Sequence, residues 1–518
     1  MAGLGLAGSA LAQADRLVVA LDPPTTETGR FWHTDGATGV FPSHEMLIGN
    51  DLETGAYDTS SIAAAWSHND DFTVWTIELK PEAEFHFDYG PVTAEDVVHS
   101  YELHTADDST LTGVGQLRGA ALEIVDDHTV TFSFDEPRIG FLFSHAGRGS
   151  MMVYSKAQYD AEGPAGYDAR PAGTGHYQVA ERRTGEGVVY ERVENHWSGT
   201  DAGFAELEFR WAAEASTKLA MLLAGEAHVA ELPRELQEDA LAQGKTIIAS
   251  TSPALQTTVM FNGLYRTSGD EAARDDLPWA DIRVREAMNR AFDREEAIDV
   301  LYAGRAERLV RYGMHRPHEG YVPELEDRFD ELYGYDPERA KELLAEAGYP
   351  DAFPDPVIPI IATVLSGNPE FGTMAELMQI YFEEIALQTE IREMDWASLG
   401  ALGRGRQAYV VSPIRNAPIR PTEIYFFNAH NPEGSPYHGF EDDTIVGYYE
   451  ELAATFDPEA REAIAQDAFT YLFEQYSDIP LASIHAEVVV DPEVVAGWDF
   501  PGVTSAGVSH WQLIRPAE

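Results

Sequence analysis

Residues 85–102 read FHFDYGPVTAEDVVHSYE and place a strand-like run, a turn and a helix start in close succession. Apolar and polar side chains alternate up to Tyr89, where Gly90 and Pro91 are typical of a tight turn. Thr93, followed three residues later by Asp96, is a variant of the capping box and predicts that a helix begins here. The sequence therefore predicts a strand–turn–helix corner, which is a structural feature and not a reactive site.

The same alternation of strand and helix patterns runs through the whole chain. Its 518 residues exceed the roughly 250–300 that one core usually supports, so we expect two or three packed units. A capping pattern at Asp293 and Glu296 predicts one further helix. Strands are predicted at 17–21, 72–79, 129–134, 206–211, 357–364, 408–412 and 485–490, a hairpin over 173–193, and helices at 218–223, 335–350, 371–387 and 458–476. This order favours the α/β class.

The composition excludes several classes of function. Only 35 basic residues stand against 88 acidic ones, a net charge of −53, so the basic footprint of a nucleic-acid binder is missing. We interpret the scattered acid as a solvated surface suited to high salt, with a cation-attracting field as the alternative. The absence of cysteine excludes thiolate catalysis, disulfides and cysteine-based zinc sites.

The first fourteen residues, MAGLGLAGSALAQA, are small and apolar and end in Ala12-Gln13-Ala14. This is the apolar segment and cleavage pattern of a secretory signal, although the basic start of such a signal is missing. We therefore expect 1–14 to be the remnant of a signal peptide and the mature protein to be exported to the periplasm. The absence of a lipid-anchored cysteine favours a free protein.

Several short motifs follow one another in a recognisable order. Ala65-Trp66-Ser67, Phe85-His86-Phe87 and the run 91–97 precede a Gly-Thr-Gly-His-Tyr segment at 173–177, in which histidine stands where proline is usual. Asn195-His196-Trp197 is a shortened version of an Asn-x-x-Tyr-Trp pattern. Further matches are Phe261-Asn262, the run 281–287, Ala291-Phe292-Asp293-Arg294 and the 335–350 helix. Together they resemble the extracytoplasmic solute-binding proteins of family 5, the peptide, dipeptide and nickel receptors of ABC importers.

The resemblance implies a periplasmic-binding-protein-like clamp of two α/β lobes (type II, similar to cluster C) with an inserted β-rich third domain. By that resemblance, 15–48, 173–263 and 483–518 form lobe one, 49–172 the insertion and 264–482 lobe two. It also implies a monomer that captures a small solute, whether peptide-like, oligosaccharide or anionic. The solute would pass to membrane permease subunits that work with a cytoplasmic ATPase.

Two other functions stay open at this point. An extracytoplasmic hydrolase is disfavoured because the sequence lacks a G-x-S-x-G elbow and an H-E-x-x-H motif. A metal or metallophore receptor of the same family is the other alternative. Seventeen histidines are present, but His99 and His104 do not share a helix face and the sequence indicates no compact ligand cluster. We expect most of them, His86 included, to be solvated or satisfied in the core, and we predict neither a metal nor a cofactor.

The resemblance also directs attention to residues 410–427. Peptide-binding members hold the ligand's amino group with an aspartate, and alignment on Pro421 places Ala417 at that position. Its neighbours are Arg415, Asn416 and Arg420, which suit a carboxylate, a phosphate or hydroxyl groups better than an ammonium. The alternative is that one or both arginines pair with local acids such as Glu423.

Other residues are candidates by their predicted place near the lobe boundary. Trp396 precedes a loop rich in glycine and arginine and could stack on a ring. The remaining ligand candidates are Trp32, His33, Arg148, Asn262 and Tyr265. For each of them a role in the core or on the surface is the alternative.

Overall fold

A computed structural model of the chain describes residues 15–24, 26–33, 40–51, 56–111, 114–145, 151–265, 277–316, 318–350, 357–364, 370–417, 421–432, 439–500, 502 and 509–517. The predicted signal remnant, 1–14, lies outside these residues. The chain forms two compact units: unit 1 comprises Met1–Ser252 and His485–Glu518, and unit 2 comprises Pro253–Ile484. The backbone therefore passes from one unit to the other twice, at 252–253 and at 484–485.

Most of the strands that the sequence predicts are present in the structure. In chain order they are β1 (Arg16–Leu21), β2 (Gly49–Asn50), β3 (Tyr57–Asp58), β4 (Ala63–His68), β5 (Val74–Leu79), β6 (Ala121–Asp126), β7 (Thr129–Ser133), β8 (Tyr177–Arg183), β9 (Gly187–Arg192), β10 (Glu206–Trp211), β11 (Val229–Ala230), β12 (Thr246–Ala249), β13 (Leu255–Phe261), β14 (Glu307–Arg308), β15 (Ile358–Val364), β16 (Thr389–Asp395), β17 (Val411–Asn416), β18 (Asp478–Ile484), β19 (Glu487–Val490), β20 (Val495–Gly497) and β21 (Arg515–Pro516).

The helices follow the predicted pattern, with additional short ones. They are α1 (Ala94–Thr105), α2 (Val114–Leu117), α3 (Phe141–His145), α4 (Lys156–Ala169), α5 (Ala215–Ala224), α6 (Arg234–Leu241), α7 (Ile282–Arg290), α8 (Arg294–Tyr302), α9 (Glu324–Tyr333), α10 (Pro337–Glu346), α11 (Glu370–Glu384), α12 (Trp396–Arg404), α13 (Thr422–His430), α14 (Asp443–Ala454) and α15 (Pro458–Glu474). Within the described ranges, none of these helices combines the length and apolar character needed to cross a membrane.

Unit 1 contains a mixed seven-stranded sheet in the order β12-β19-β11-β1-β10-β9-β8. β1 lies at its centre, parallel to β10 and β11, because its run Leu17–Leu21 is buried on both faces. A second, antiparallel sheet in the order β4-β5-β7-β6 falls within the range predicted for the insertion. Trp75 on β5 and Phe141 in α3 stack with ring centroids 4.7 Å apart in the core beside this sheet.

Unit 2 is built on a six-stranded sheet in the order β14-β18-β13-β17-β15-β16. β13 pairs antiparallel with both β17 and β18, although the predicted lobe boundary at 263–264 placed it in lobe one. Its run Val259–Phe261 is buried in the clusters that fill unit 2, which is the physical reason for this placement. The division of the working protein into the predicted lobes and insertion stays a prediction.

Helix starts follow the capping chemistry of the sequence. Asp336 accepts a hydrogen bond from the Arg339 N–H at 2.9 Å, with Pro337 at the first helical position. Asp293 accepts one from the Glu296 N–H at 3.0 Å. Carboxylates satisfy amide groups that have no partner within the helix and also favour the positive end of its dipole. The predicted cap of α8 is therefore confirmed, and α10 begins with the same arrangement.

Of the strand–turn–helix corner predicted at 85–102, the structure contains the helix start but not the strand. Thr93 donates to Asp96 Oδ2 from its N–H at 2.9 Å and from its hydroxyl at 2.8 Å, and α1 begins there. The predicted strand is wrong, because His86–Asp88 form a 3-10 turn with Phe87 at φ 59°. The His86 N–H donates to the Gly173 carbonyl at 2.9 Å, so a tertiary contact takes the hydrogen bond that a strand partner would use.

Acidic residues that are buried have partners. Among the described residues they are Asp96, Glu208, Glu441, Asp478 and Asp491. Asp96 accepts from the Lys156 N–H, and the other four form ion pairs with Arg210, Arg406, Arg311 and Lys245 respectively. Burial of a carboxylate is tolerated only with such compensation.

Candidate functional site

Arg415 and Asn416 lie at the end of β17 in unit 2, and Arg415 forms an ion pair. Its Nη1 lies 2.6 Å from Oε1 of Glu370, the first residue of α11. The two side chains are 19% and 11% exposed, so water screens the pair only in part. The acid suggested by sequence, Glu423, instead pairs with Arg461 at 2.8 Å. A carboxylate is thus present beside Arg415, brought there from a position distant in sequence.

Asn262 and Trp396 line the same small cavity of unit 2, together with Ser412. Its volume is about 20 Å³, which is room for one water molecule. The Asn262 side chain donates to Ser412 Oγ at 2.8 Å, and its backbone carbonyl accepts from Trp279 Nε1 at 3.0 Å. The structure therefore brings these two candidates together, with Asn262 held in the core of the unit.

Tyr265 is buried, and its hydroxyl is fully engaged with the backbone. It accepts from the Ala408 N–H at 2.9 Å and donates to the Ala408 carbonyl at 3.3 Å. The Arg406 guanidinium lies 4.6 Å from the ring centroid and pairs with buried Glu441. Burial raises the pKa of Tyr265 to about 12. These contacts give Tyr265 a packing role whatever its part in ligand binding.

The two candidates near the first strand lie in unit 1. Trp32 is buried and packs edge-on against Tyr154, with centroids 5.0 Å apart, and against His104 at 5.4 Å. His33 Nε2 lies 3.4 Å from a carboxylate oxygen of exposed Asp108. The remaining candidates, Arg148 and Arg420, lie outside the described residues.

The histidines that the sequence analysis singled out each make one hydrogen bond in the core, while His86 Nδ1 and His104 Nε2 have no partner among the described residues. His86 Nε2 donates to the Gly175 carbonyl at 2.7 Å, and His104 Nδ1 donates to the Ser100 carbonyl at 2.7 Å. His99 Nε2 lies 3.2 Å from the Tyr167 hydroxyl. All three residues are buried, and their assignment to structural roles stays a prediction.

The expectation that no compact ligand cluster exists is wrong. In unit 1, Glu45, His176 and His196 each place one metal-ligating atom within 4.8 Å of the other two. The imidazoles of His176 and His196 stack with centroids 3.8 Å apart. The only sequence signal was that both histidines stand where the chain departs from the family's motifs.

Close backbone approach creates this cluster. The Gly175 N–H donates to the Ser43 carbonyl at 3.0 Å, and the Tyr177 N–H donates to the Pro42 carbonyl at 3.2 Å. A Cβ on Gly173 would lie 1.8 Å from the Ser43 carbonyl oxygen, so only glycine permits the approach. The segment that carries Glu45 is thereby held against the entry to β8.

Burial sets the protonation of the cluster. It lowers the pKa of His176 to about 3, with further lowering by His196 and His510 nearby. It also lowers the pKa of His196, which the bond to the Thr174 carbonyl partly offsets. Burial raises the pKa of the Glu45 carboxyl to about 8, although Thr174 and Lys80 offset part of this. At neutral pH both imidazoles are therefore uncharged, and a cation beside Glu45 would favour its ionised form.

Glu45 and His176 face a cavity of about 770 Å³ within unit 1. A cavity of this size falls in the range of small-molecule sites. Its wall contains further groups that can bind a polar guest, namely His44, Asp58, Lys80, Glu82 and His510. The sequence did not indicate this cavity, because its wall is assembled from segments between residues 41 and 513.

Comparison with known proteins identifies the class of protein. Residues 59–429, more than half of the chain, match the family described as bacterial extracellular solute-binding proteins, family 5 Middle. The chain therefore belongs to this family, as the order of its motifs indicated.

Individual relatives are similar at a lower level. The chain is 28% identical over 360 residues to heme-binding protein A of Haemophilus influenzae, an alignment that covers 65% of this chain and 62% of the relative. It is 26% identical over 361 residues to the dipeptide-binding protein of Escherichia coli, covering 65% and 63%. The glutathione-binding protein GsiB of Salmonella typhi is 26% identical over 419 residues, covering 78% and 75%. The matched part thus spans less than two thirds of the first two relatives.

Solved structures establish the fold. HbpA2 from Haemophilus parasuis superposes with a TM-score of 0.79 at 21% identity, covering 97% of this chain and 100% of that one. A nickel ABC transporter structure from Bacillus halodurans gives 0.78 at 20% identity, covering 96% and 100%. The predicted α/β solute-binding-protein fold is therefore confirmed.

Proposed function

We propose that this protein is the substrate-binding component of an ABC importer, exported to the periplasm, where it works as a monomer. It captures a small solute between two lobes and delivers it to the permease without breaking a bond in the solute. The family match over 59–429 carries this proposal. The two chain crossings at 252–253 and 484–485 support it, since a pair of short connections can absorb a hinge motion.

Each connection is flanked by a backbone hydrogen bond in unit 1 and by another in unit 2. Within unit 1, the Ser250 N–H donates to the Ala486 carbonyl at 2.8 Å; within unit 2, the Ala254 N–H donates to the Ile484 carbonyl at 2.7 Å. A hinge motion would change backbone angles between these two bonds while each unit keeps its own sheet, and the bond from the Thr251 N–H to the Phe500 carbonyl at 2.9 Å lies within unit 1. A solute that binds the closed state more tightly then shifts the population toward it.

We infer that the solute is a small zwitterion of the peptide type, held by the Arg415–Glu370 pair. The sequence alone disfavoured a free amino group because no carboxylate was apparent beside Arg415. Glu370 supplies that carboxylate, 2.6 Å from the guanidinium. A zwitterionic solute can exchange partners with the pair, its carboxylate taking Arg415 and its ammonium taking Glu370, so that no charge is left unpaired.

A matched set of solutes tests this assignment by calorimetry: Ala-Ala, N-acetyl-Ala-Ala and Ala-Ala-amide, with maltose, succinate and reduced glutathione for comparison. We expect the free dipeptide to bind more tightly than either blocked form. Glu370→Gln should weaken Ala-Ala by roughly 10–100-fold and leave N-acetyl-Ala-Ala unchanged. Arg415→Gln should do the same for the carboxyl group, with Ala-Ala-amide unchanged. Preference for succinate or maltose would contradict the zwitterion.

A further inference from the structure

The cluster of Glu45, His176 and His196 has the composition of a metal site. Two imidazoles and one carboxylate form a set that suits late first-row divalent cations such as Zn²⁺ and Ni²⁺. Their ligating atoms all lie within 4.8 Å of one another, so a modest side-chain movement would bring them to a common ion. Mg²⁺ and Ca²⁺ prefer oxygen ligands, and the two imidazoles disfavour them.

One ring nitrogen of His196 is held by a hydrogen bond of the kind that ligating histidines make. Its Nε2 donates to the Thr174 carbonyl at 2.8 Å, which fixes the proton on that nitrogen and leaves the lone pair on Nδ1. Histidines that bind metals usually donate their other N–H to a carbonyl or carboxylate in this way. Trp197 Nε1 donates to the same carbonyl at 2.8 Å and holds that acceptor in place.

The contacts that an ion would replace come from groups that can move. Ser198 Oγ lies 2.8 Å from His196 Nδ1, and Thr200 Oγ1 lies 3.0 Å from His176 Nε2. Both hydroxyl groups lie on a short exposed turn and can rotate toward water, and the Ser198 N–H, which also donates to His196 Nδ1 at 3.3 Å, would move with that turn. No rearrangement of β8 or β9 is needed to free either nitrogen.

Glu45 supplies the observation that points to a missing partner. Its Oε2 is shielded from solvent and makes no hydrogen bond of normal geometry to any residue in the described ranges. The Thr174 hydroxyl is close enough to lower the pKa of this carboxyl, but the two groups do not reach the geometry of a full hydrogen bond. The positive charge of Lys80 also lowers the pKa of Glu45, yet the Lys80 ammonium donates to the Thr59 carbonyl at 2.6 Å. Ionisation of a shielded carboxyl group is unfavourable unless a cation accompanies it.

We propose that Glu45, His176 and His196 bind one divalent transition-metal ion on the wall of the 770 Å³ cavity of unit 1. Three protein ligands leave coordination positions for water or for a small chelating molecule inside the cavity. This site goes beyond the proposed capture of a solute between the lobes, and it lies wholly within unit 1.

Titration of the EDTA-treated full chain with ZnCl₂ and NiCl₂ in 1 M NaCl with excess MgCl₂ tests the proposal. These conditions saturate and screen the acidic surface, which would otherwise bind cations without specificity. We expect one ion per chain. Glu45→Gln, which keeps the shape of the side chain, and His176→Gln should each weaken metal binding by more than about 100-fold. Loss of a residue that only supports a ligand through a hydrogen bond typically weakens binding by about 10–100-fold, so a larger effect identifies a direct ligand. His68→Gln, at an exposed histidine of unit 1, is the matched control and should bind like wild type.

The absorption spectrum of the Co²⁺-loaded wild-type chain tests the same proposal without any variant, so the test still holds if a variant fails to fold. Intense visible bands indicate coordination by nitrogen and oxygen in a four- or five-coordinate site and support the proposal. The faint spectrum of a hydrated ion overturns it. Equal binding by wild type, Glu45→Gln and His176→Gln, with each variant folded by circular dichroism, overturns it as well, and so does a titration without uptake of any ion.

Discussion

The imidazole rings of His176 and His196 stack in unit 1 with their centroids 3.8 Å apart and 21° between their planes. One ring lies at the entry to β8 and the other in the turn after β9, so the stack joins the two ends of the hairpin. Both rings are buried and uncharged at neutral pH, which removes the repulsion that two imidazolium ions would suffer at this distance. The stack and the adjacent Glu45 depend on a close approach of the backbone.

Gly173→Ala tests that approach. The new Cβ would lie 1.8 Å from the Ser43 carbonyl oxygen, so the two segments must separate. We expect a loss of about 1–3 kcal/mol in the free energy of unfolding, measured with urea, together with weaker Ni²⁺ binding. The control is Gly447→Ala in α14, where a Cβ meets nothing within 4 Å and helix propensity should raise stability by up to ~1 kcal/mol. Equal behaviour of the two variants would refute the steric argument.

The buried ion pair of unit 2 gives a second prediction. Arg311 and Asp478 lie 2.8 Å apart with side chains 1% and 2% exposed, and Thr258 also donates to Asp478 at 2.5 Å. Asp478→Asn leaves a buried guanidinium without its counter-charge and should cost about 3–5 kcal/mol. Replacing both charges, by Arg311→Met with Asp478→Leu, should recover at least half of that loss. If urea unfolding shows the double replacement to be worse than Asp478→Asn, desolvation is not the controlling factor.

His430 makes the stability of unit 2 depend on pH. Burial lowers its pKa to about 3, with further lowering by Arg311, although the bond from Nδ1 to the Phe440 carbonyl at 2.7 Å opposes this. Because the unfolded chain binds the proton with a pKa near 6.5, stability is fully present above that value and is lost as pH falls toward 3. At pH 5 the loss from this residue is ~2 kcal/mol.

His430→Asn keeps a donor near the Phe440 carbonyl and removes the titration. We expect the difference in unfolding free energy between pH 8 and pH 5 to be smaller in this variant than in wild type by about that amount. The comparison at pH 8 serves as the control, since the imidazole is neutral there in both states. An unchanged difference would mean that His430 is accessible to protons in the folded protein.

The net charge of −53 predicts a response to salt. Most acidic side chains lie outside the core, where they repel one another, and salt screens that repulsion within a Debye length. The melting temperature should therefore rise from dilute buffer to molar NaCl, with most of the rise at low concentration. A flat melting curve over this range would remove the interpretation of the surface as an adaptation to high salt.

Local sequence predicted much of the fold but little of the candidate sites. The caps at Asp293 and Asp336 and the buried run of β1 depend on neighbours in sequence, and each was predictable from periodicity and capping chemistry. The 3-10 turn at His86 and the partner of Arg415 depend on contacts across about ninety and forty-five residues respectively, which no local pattern encodes. The candidate metal cluster unites residues 45, 176 and 196, and departures from family motifs marked only its two histidines.

Native mass spectrometry of the full chain with a defined solute panel, combined with small-angle X-ray scattering of the same samples, tests the central claim most directly. The panel comprises Ala-Ala, reduced glutathione, haemin, maltose and succinate. The account predicts one zwitterionic solute per chain, released with its mass unchanged, and a smaller radius of gyration in the bound state. A solute released as cleaved or modified product, or binding with no change in scattering, would contradict it.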